Sequence, residues 1–306
     1  MRVMTGTSRL PDPRGNRNIE MVFNFISSYG KFSMKEQAGA KMPTGISSLD
    51  PVFEGGIPPG SVILLLSDVG AGSNEFAYSS ILNLALMNKE EGPGLVMPKE
   101  ITYVTFTKMK DDIRSEIWRS FNPDLAAGLE KIRFEDLSGL YFDSSVVPVE
   151  WYAKSDVLER MQKRSGRDNA LSQLASTFNS IEEDSLVVID SLTDLGTQVA
   201  ASSRWNDLVA FLRGLQRICK QRNITVYIML ARGILDIQQE LEISDTSDAV
   251  LLFRWEETSG ARRQRVMYVE KFRGIMPHLE DRDLVKFSVR ISSTGGFEVS
   301  NIRVVI

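Results

Sequence analysis

Apolar residues along this chain fall into two kinds of run, short unbroken ones and longer ones with helical spacing. Ser61–Leu66 is apolar after its first serine, which predicts a strand buried on both faces of a parallel sheet. It leads through Gly70 and Gly72 into Asn74–Asn88. There Phe76, Tyr78, Ile81, Leu82, Leu84, Ala85 and Met87 leave almost no polar face, so that helix is expected inside the fold. Ile101–Phe106 reads as a second strand, Lys110–Phe121 as a charged helix and Lys131–Phe134 as a short third strand. Ser185–Ile189 is a further strand, ending on Asp190. Leu208, Phe211, Leu212, Leu215, Ile218 and Cys219 then recur at helical period, and Ile224–Leu230 follows as a strand. Ala249–Phe253, Gln264–Phe272 and Leu284–Ile291 are strands too closely spaced for helices between them, which implies a mixed or antiparallel C-terminal extension. The repetition of strand and helix is a doubly wound α/β pattern, a mostly parallel central sheet flanked by helices.

Two stretches fit this outline less well. In residues 137–182, Tyr141–Trp151 carries aromatic residues and valines without a period, while Lys154–Arg164 and Asn169–Phe178 have helical patterns. The spacing leaves room for a lid or insertion over a sheet edge. Residues 1–40 hold the polar, turn-forming run Arg9–Arg17 and are expected to be a flexible basic arm ahead of one domain at 41–306. Within the arm, Met21–Tyr29 could dock through Val22, Phe23, Phe25 and Ile26. Met21 also offers an alternative first residue, which would leave residues 1–20 outside the product.

Composition narrows the class. Of the 306 residues 42% are hydrophobic and 25% charged, which excludes fibrous and wholly disordered chains. The longest aliphatic run, Val62–Leu66, is far short of the roughly 20 residues that span a bilayer, so no membrane insertion is expected. No basic segment followed by an apolar stretch marks a secretory leader, and the expected location is cytoplasmic. The formal charge is −4; residues 1–41 carry seven Lys or Arg and three Asp or Glu, leaving 29 against 37, or −8, for the rest. Nucleic acid is therefore not the expected partner, although a local basic groove would escape this argument. The one cysteine, Cys219, excludes an internal disulfide and a cysteine-built zinc site, and the one histidine, His278, excludes a multi-histidine centre. Cys219 lies on an apolar helical stripe, where an inert buried thiol is expected. His278, after Pro277 in an expected loop, has no companion for catalysis, and no catalytic residue is assigned.

The strongest local feature is Leu66-Ser67-Asp68-Val69-Gly70-Ala71-Gly72-Ser73-Asn74. A strand that turns through glycines into a helix gathers backbone N–H groups around one point, and the helix N-terminus favours an anion there. A GxxxxGK[ST] nucleotide loop adds a lysine for the β- and γ-phosphates and a hydroxyl for magnesium. On that pattern Ser67 replaces the first glycine, Gly72 is the last, Ser73 replaces the lysine and Asn74 the hydroxyl residue. Asp68 and Glu75 add negative charge nearby. Gly70, Ala71, Gly72, Ser73 and Asn74 are thus candidate phosphate-cradling residues in a degenerate loop, the alternative being a tight turn with no ligand. Asp190, at a strand end, is the candidate carboxylate for magnesium, with Ser191 assisting.

The match extends beyond this loop. Pro43-Thr44-Gly45-Ile46-Ser47-Ser48-Leu49-Asp50 and Gly55-Gly56-Ile57-Pro58-Pro59-Gly60-Ser61 precede it; Val187–Leu192, Ser247-Asp248-Ala249-Val250 and Lys271-Phe272-Arg273-Gly274 follow. In this order they closely resemble the KaiC-like branch of RecA-type P-loop ATPases, over about residues 42–306. The resemblance implies a RecA-like P-loop NTPase fold, ring or filament assembly, and ATP with Mg2+ bound at the seam between subunits. It also implies that Lys271 and Arg273, at the family's K-x-R-G positions, reach phosphates bound by a neighbouring subunit. Residues two apart on a strand share a face, which suits that role, although a surface ion-pairing role suits it too. The family's water-polarising glutamate after the second strand is missing, since that stretch is Phe106-Thr107-Lys108-Met109 with no acid before Asp111.

The expected function is a pseudo-ATPase, a regulatory or assembly subunit with weak or absent ATP binding, in a homo-oligomer or paired with an active RecA- or KaiC-like relative. One alternative is a slow ATPase or ATP-dependent switch in which Lys108 or Lys110 substitutes for the missing lysine. Another is a recombinase-like DNA-binding protein using the basic arm and a hairpin at Arg262-Arg263-Gln264-Arg265.

Overall fold

In the computed structural model, which describes residues 39–87, 94–143, 145–152, 170–258 and 262–301, the first strand, β1, is Val62–Ser67. It is followed by β2 (Ile101–Thr105), β3 (Ile132–Asp136), β4 (Leu186–Asp190), β5 (Thr225–Ala231), β6 (Ala249–Thr258), β7 (Arg262–Phe272), β8 (Lys286–Ser292) and β9 (Gly296–Asn301). All nine join one sheet in the order β3-β2-β4-β5-β1-β6-β7-β8-β9. β1 through β6 pair in parallel, and β7, β8 and β9 continue antiparallel. This is a RecA-like P-loop architecture.

The strand alternation divides the core. In β1, Ile63 and Leu65 face one apolar layer while Val62, Leu64 and Leu66 face the other; in β4, Leu186 and Val188 part from Val187 and Ile189 in the same way. Helices Ser73–Leu86 and Lys110–Ser120 pack on the first face. Helices Ala170–Ser180, Leu192–Ala201, Trp205–Arg222 and Ile237–Thr246 pack on the second. That distribution is what right-handed crossovers demand, because connections from β1 and β2 run toward β3 and those from β3, β4 and β5 run back.

The helix after β1 is buried nearly all round, as its composition predicts, because it lies between the sheet, the turn at Thr44 and Gly45, and the segment 123–131. Asn83 Nδ2 donates to the Gly45 carbonyl (2.8 Å), Ser80 Oγ to that of Thr44 (2.5 Å), and Phe297 N to Ser79 Oγ (2.8 Å). The Thr44–Asp50 motif is thus a brace: Thr44 donates N–H and O–H to Asp50 Oδ1, each at 2.6 Å. At Gly56 (φ 139°) a Cβ would collide with the Met42 carbonyl, where Met42 and Ile57 exchange two backbone hydrogen bonds at 2.7 Å.

Several expectations change. Helices Leu192–Ala201 and Ile237–Thr246 and strand β9 were not anticipated; the first carries Leu192, Leu195 and Val199 at helical spacing, a signal the sequence contained, whereas the other two are weakly patterned. A helix does fit between β7 and β8, Met276–Asp281, and His278 lies in it rather than in a loop. In 137–182, the Ala170–Ser180 helix buries Leu171, Leu174 and Phe178 in the second core layer, so this part is a crossover helix and not a lid. The stretch at Tyr141–Trp151 contains the short helices Ser138–Phe142 and Val149–Tyr152. The arm within residues 1–38, the Lys154–Arg164 helix and the position of Met21 lie outside the described residues.

Cys219 is fully buried on the stripe that predicted it, and burial pushes its thiol up to about 12. The folded protein should not react with a thiol reagent at about pH 8, and should react fully once denaturant unfolds it. Native-state labelling as fast as that of the unfolded chain would contradict this burial.

Candidate functional site

The loop after β1 lies at the carboxyl end of the sheet. Gly72 (φ 115°) is the N-cap of Ser73–Leu86, and no side chain caps that helix. The positive φ favours glycine here, and a Cβ on Gly72 would also sit tightly against Ile291 (3.3 Å) and Phe297 (3.4 Å) of β8 and β9. Ala71 and Ser73 are buried, whereas Val69 at the tip is 83% exposed.

Side chains from β6 and β7 hold the loop in place. Trp255 Nε1 donates to the Val69 carbonyl (3.1 Å) and Arg265 Nε to that of Gly70 (3.1 Å). The Arg263 and Arg265 guanidinium groups lie 4.9 and 4.5 Å from the centre of the Trp255 ring, within cation–π range. The Arg262–Arg265 cluster opens strand β7 of the antiparallel β6–β7 hairpin, where Arg265 pairs with Trp255 and Arg262 with Thr258. Asp68, expected to repel phosphate, is instead flanked by Arg232 at 3.4 Å and Arg254 at 3.6 Å. The contacts that reach the loop itself were not legible along the chain, because they join residues 164 to 195 positions apart.

Asp190 ends β4, two strands from β1 and so roughly 10 Å away across the sheet. Its Oδ2 accepts a hydrogen bond from Tyr103 Oη at 2.7 Å. Burial raises its pKa; the Tyr103 bond and the Lys108 ammonium pull it down, and Asp194 and Glu116 raise it further. Ser191 does not point to Asp190 but donates to Asp194 Oδ2 (2.8 Å), to which Thr107 also donates (3.3 Å). Glu116, one and a half turns into the Lys110–Ser120 helix, returns to the same corner: Lys108 Nζ lies 3.2 Å from its Oε2 and Tyr78 Oη 3.4 Å from its Oε1. Sequence reasoning stopped at the first acid after β2 and missed this one, though helical spacing from Met109 could have flagged it. Lys110 lies over the Phe134 ring at 5.9 Å, on the β3 side. Among the described residues, no group of three His, Cys, Asp or Glu side chains is arranged to hold a metal ion.

Lys271 and Arg273 sit at the other end of the sheet. Phe272 between them pairs with Ala249, the first residue of β6, and β1 meets Ala249 at Ile63. The strand length from Ile63 to Ser67 separates this end from the loop by roughly 13 Å. Lys271 Nζ donates to the carbonyls of Ser244 (2.8 Å) and Asp245 (3.0 Å), and Arg273 Nη2 also reaches that of Asp245 (3.1 Å). Both thereby cap the C-terminus of Ile237–Thr246, a favourable place for cations. Burial, with the Arg273 charge second, lowers the Lys271 pKa.

Arg273 also lines an open groove of about 420 Å³ with Arg213, Arg217, Lys220, Gln216 and Asp248. Asp248 lies at its base, 3.2 Å from Lys220 and 3.7 Å from Arg273. Arg213, Arg217 and Lys220 follow helical spacing on the polar side of Trp205–Arg222, a signal the sequence contained but one indistinguishable there from a solvated face.

Residues 42–287 match a family model described as "ATPase: KaiC". No curated protein matches the chain. Among the described residues no helix is long and apolar enough to cross a membrane.

Proposed function

The chain belongs to the KaiC ATPase family, and from that premise we propose that it is a pseudo-ATPase, a regulatory or assembly subunit built on residues 41–306. In this reading its own loop binds ATP weakly or not at all, and its opposite end presents Lys271 and Arg273 to a neighbouring subunit in a cytoplasmic homo- or hetero-oligomer. One observation carries it. The two ends of the sheet are unequal: Ser73 and Asn74 stand at the carboxyl end where a lysine and a hydroxyl residue are needed, while the amino end keeps both cations beside a basic groove. Phosphoryl transfer depends on positioned charge and an oriented nucleophile, and the first of these is depleted around Gly70–Asn74. The test is hydrolysis by purified protein, which should not exceed a matched control. Robust turnover abolished by Asp190→Ala would overturn the reading.

A second reading, a slow ATPase or switch, gains from the return of Glu116 to the corner of Asp190 and Lys108, because an acid there could orient water. Labelled-ATP binding with and without magnesium separates the two. The DNA-binding reading would draw on the groove of Arg213, Arg217, Lys220 and Arg273, with Arg263 and Arg265 stacked on Trp255, and steep salt dependence of single-strand binding tests it.

A further inference from the structure

Asp190 at the end of β4 feels the charges of Asp194 and of Glu116 from the Lys110–Ser120 helix, although the three are not arranged as a metal-holding group. Each is already served by hydroxyl donors. Tyr103 donates to Asp190 (2.7 Å), Tyr78 to Glu116 (3.4 Å), and Ser191 and Thr107 to Asp194 (2.8 and 3.3 Å). A tyrosine pair ties the first two together, with the Tyr78 and Tyr103 rings 6.1 Å apart. The positive charge in this corner comes from Lys108. Its backbone is fixed by the Thr105 hydroxyl, which donates to the Lys108 carbonyl at 3.0 Å, and its ammonium lies 3.2 Å from Glu116 Oε2.

Magnesium does not suit this donor set. It demands near-ideal octahedral oxygen coordination and holds to carboxylates with free lone pairs. Here Asn74 supplies an amide at the hydroxyl position, the Lys108 ammonium already lies against Glu116 Oε2, and that resident monocation repels an incoming divalent one. We propose that the Lys108 ammonium stands in for the divalent cation, as the built-in counter-ion of the Asp190–Glu116 corner, so that this chain takes up no metal there. The proposal goes beyond the proposed function, and its test reads metal uptake rather than hydrolysis, so either can fail alone.

The test is titration of the full chain with Mn2+, following the free-ion signal by electron paramagnetic resonance. The unaltered chain should leave the signal of stoichiometric Mn2+ undiminished. Lys108→Met, which keeps the stem and removes the charge, and Lys108→Glu should each take up one Mn2+ per chain, roughly tenfold or more tighter than the parent. Adding Asp190→Asn should abolish that uptake. Lys108 is partly exposed, its side chain 37% accessible, and circular dichroism checks that the variants fold. Uptake by the unaltered chain that Asp190→Asn removes would overturn the proposal, and that titration does not depend on any Lys108 variant folding. Two folded Lys108 variants that bind Mn2+ no better than the parent would overturn it as well.

Discussion

Calorimetric titration of the unaltered protein with ATP is expected to give a Kd weaker than about 100 μM, or less than about 5.5 kcal/mol of binding. Ser73 offers no long cationic reach, and it is buried at the first position of its helix, 8% exposed. What remains is the uncapped helix N-terminus, with its amides and dipole. Ser73→Lys with Asn74→Thr should tighten binding by tenfold or more, about 1.4 kcal/mol, if the turn keeps its shape. Adding Asp68→Gly should tighten it again for a reason visible only in three dimensions. The Asp68 carboxylate lies between Arg232 and Arg254, and its removal leaves two guanidinium groups free at the loop's edge. A Kd of about 1 μM for the unaltered chain would sink the pseudo-ATPase reading. No gain from the repair would mean that the Trp255 and Arg265 contacts hold the loop in a shape that does not cradle phosphate.

Mixed with an active relative from the same cell, the protein is expected to stimulate that relative's ATPase, and Lys271→Ala/Arg273→Ala should abolish the stimulation. Arg273→Lys should lose much of it, because a planar guanidinium can hold a phosphate through paired hydrogen bonds and an ammonium cannot. Loss of function here has a second explanation. Both side chains cap the Ile237–Thr246 helix, and removing such contacts costs stability on the order of 1 kcal/mol. Thermal unfolding of each variant separates the two, and Arg273→Lys is the more informative because it keeps a cation at the helix end. The Ser73 and Asn74 positions should tolerate substitution in this assay. If the proteins do not associate, or the double variant stimulates as well as the parent, donation across a seam is wrong and capping is the whole role of the pair.

By itself the sequence determined which segments enter the core and in what order. Unbroken apolar runs at β1, β4 and β5 are buried in a sheet covered on both faces, and the apolar helix after Gly72 is buried between that sheet and its covering segments, so pattern and position coincide. It also places Ser73 and Asn74 where a GxxxxGK[ST] loop has its lysine and hydroxyl residue. Shorter elements escaped it. The Leu192–Ala201 and Ile237–Thr246 helices bury only four and two residues, and their place is set by the sheet beneath them. The surroundings of the site were decided by tertiary structure alone. Asp68 is flanked by Arg232, just after β5, and Arg254 of β6, the loop is held by Trp255 and Arg265, Glu116 turns back to Lys108, and Lys271 closes a helix end. Charge and hydrogen bonding act over a few ångströms in space, whereas periodicity acts between neighbours in sequence. A chain therefore displays its burial pattern locally, but its electrostatic partners become neighbours only when the sheet brings distant strand ends together.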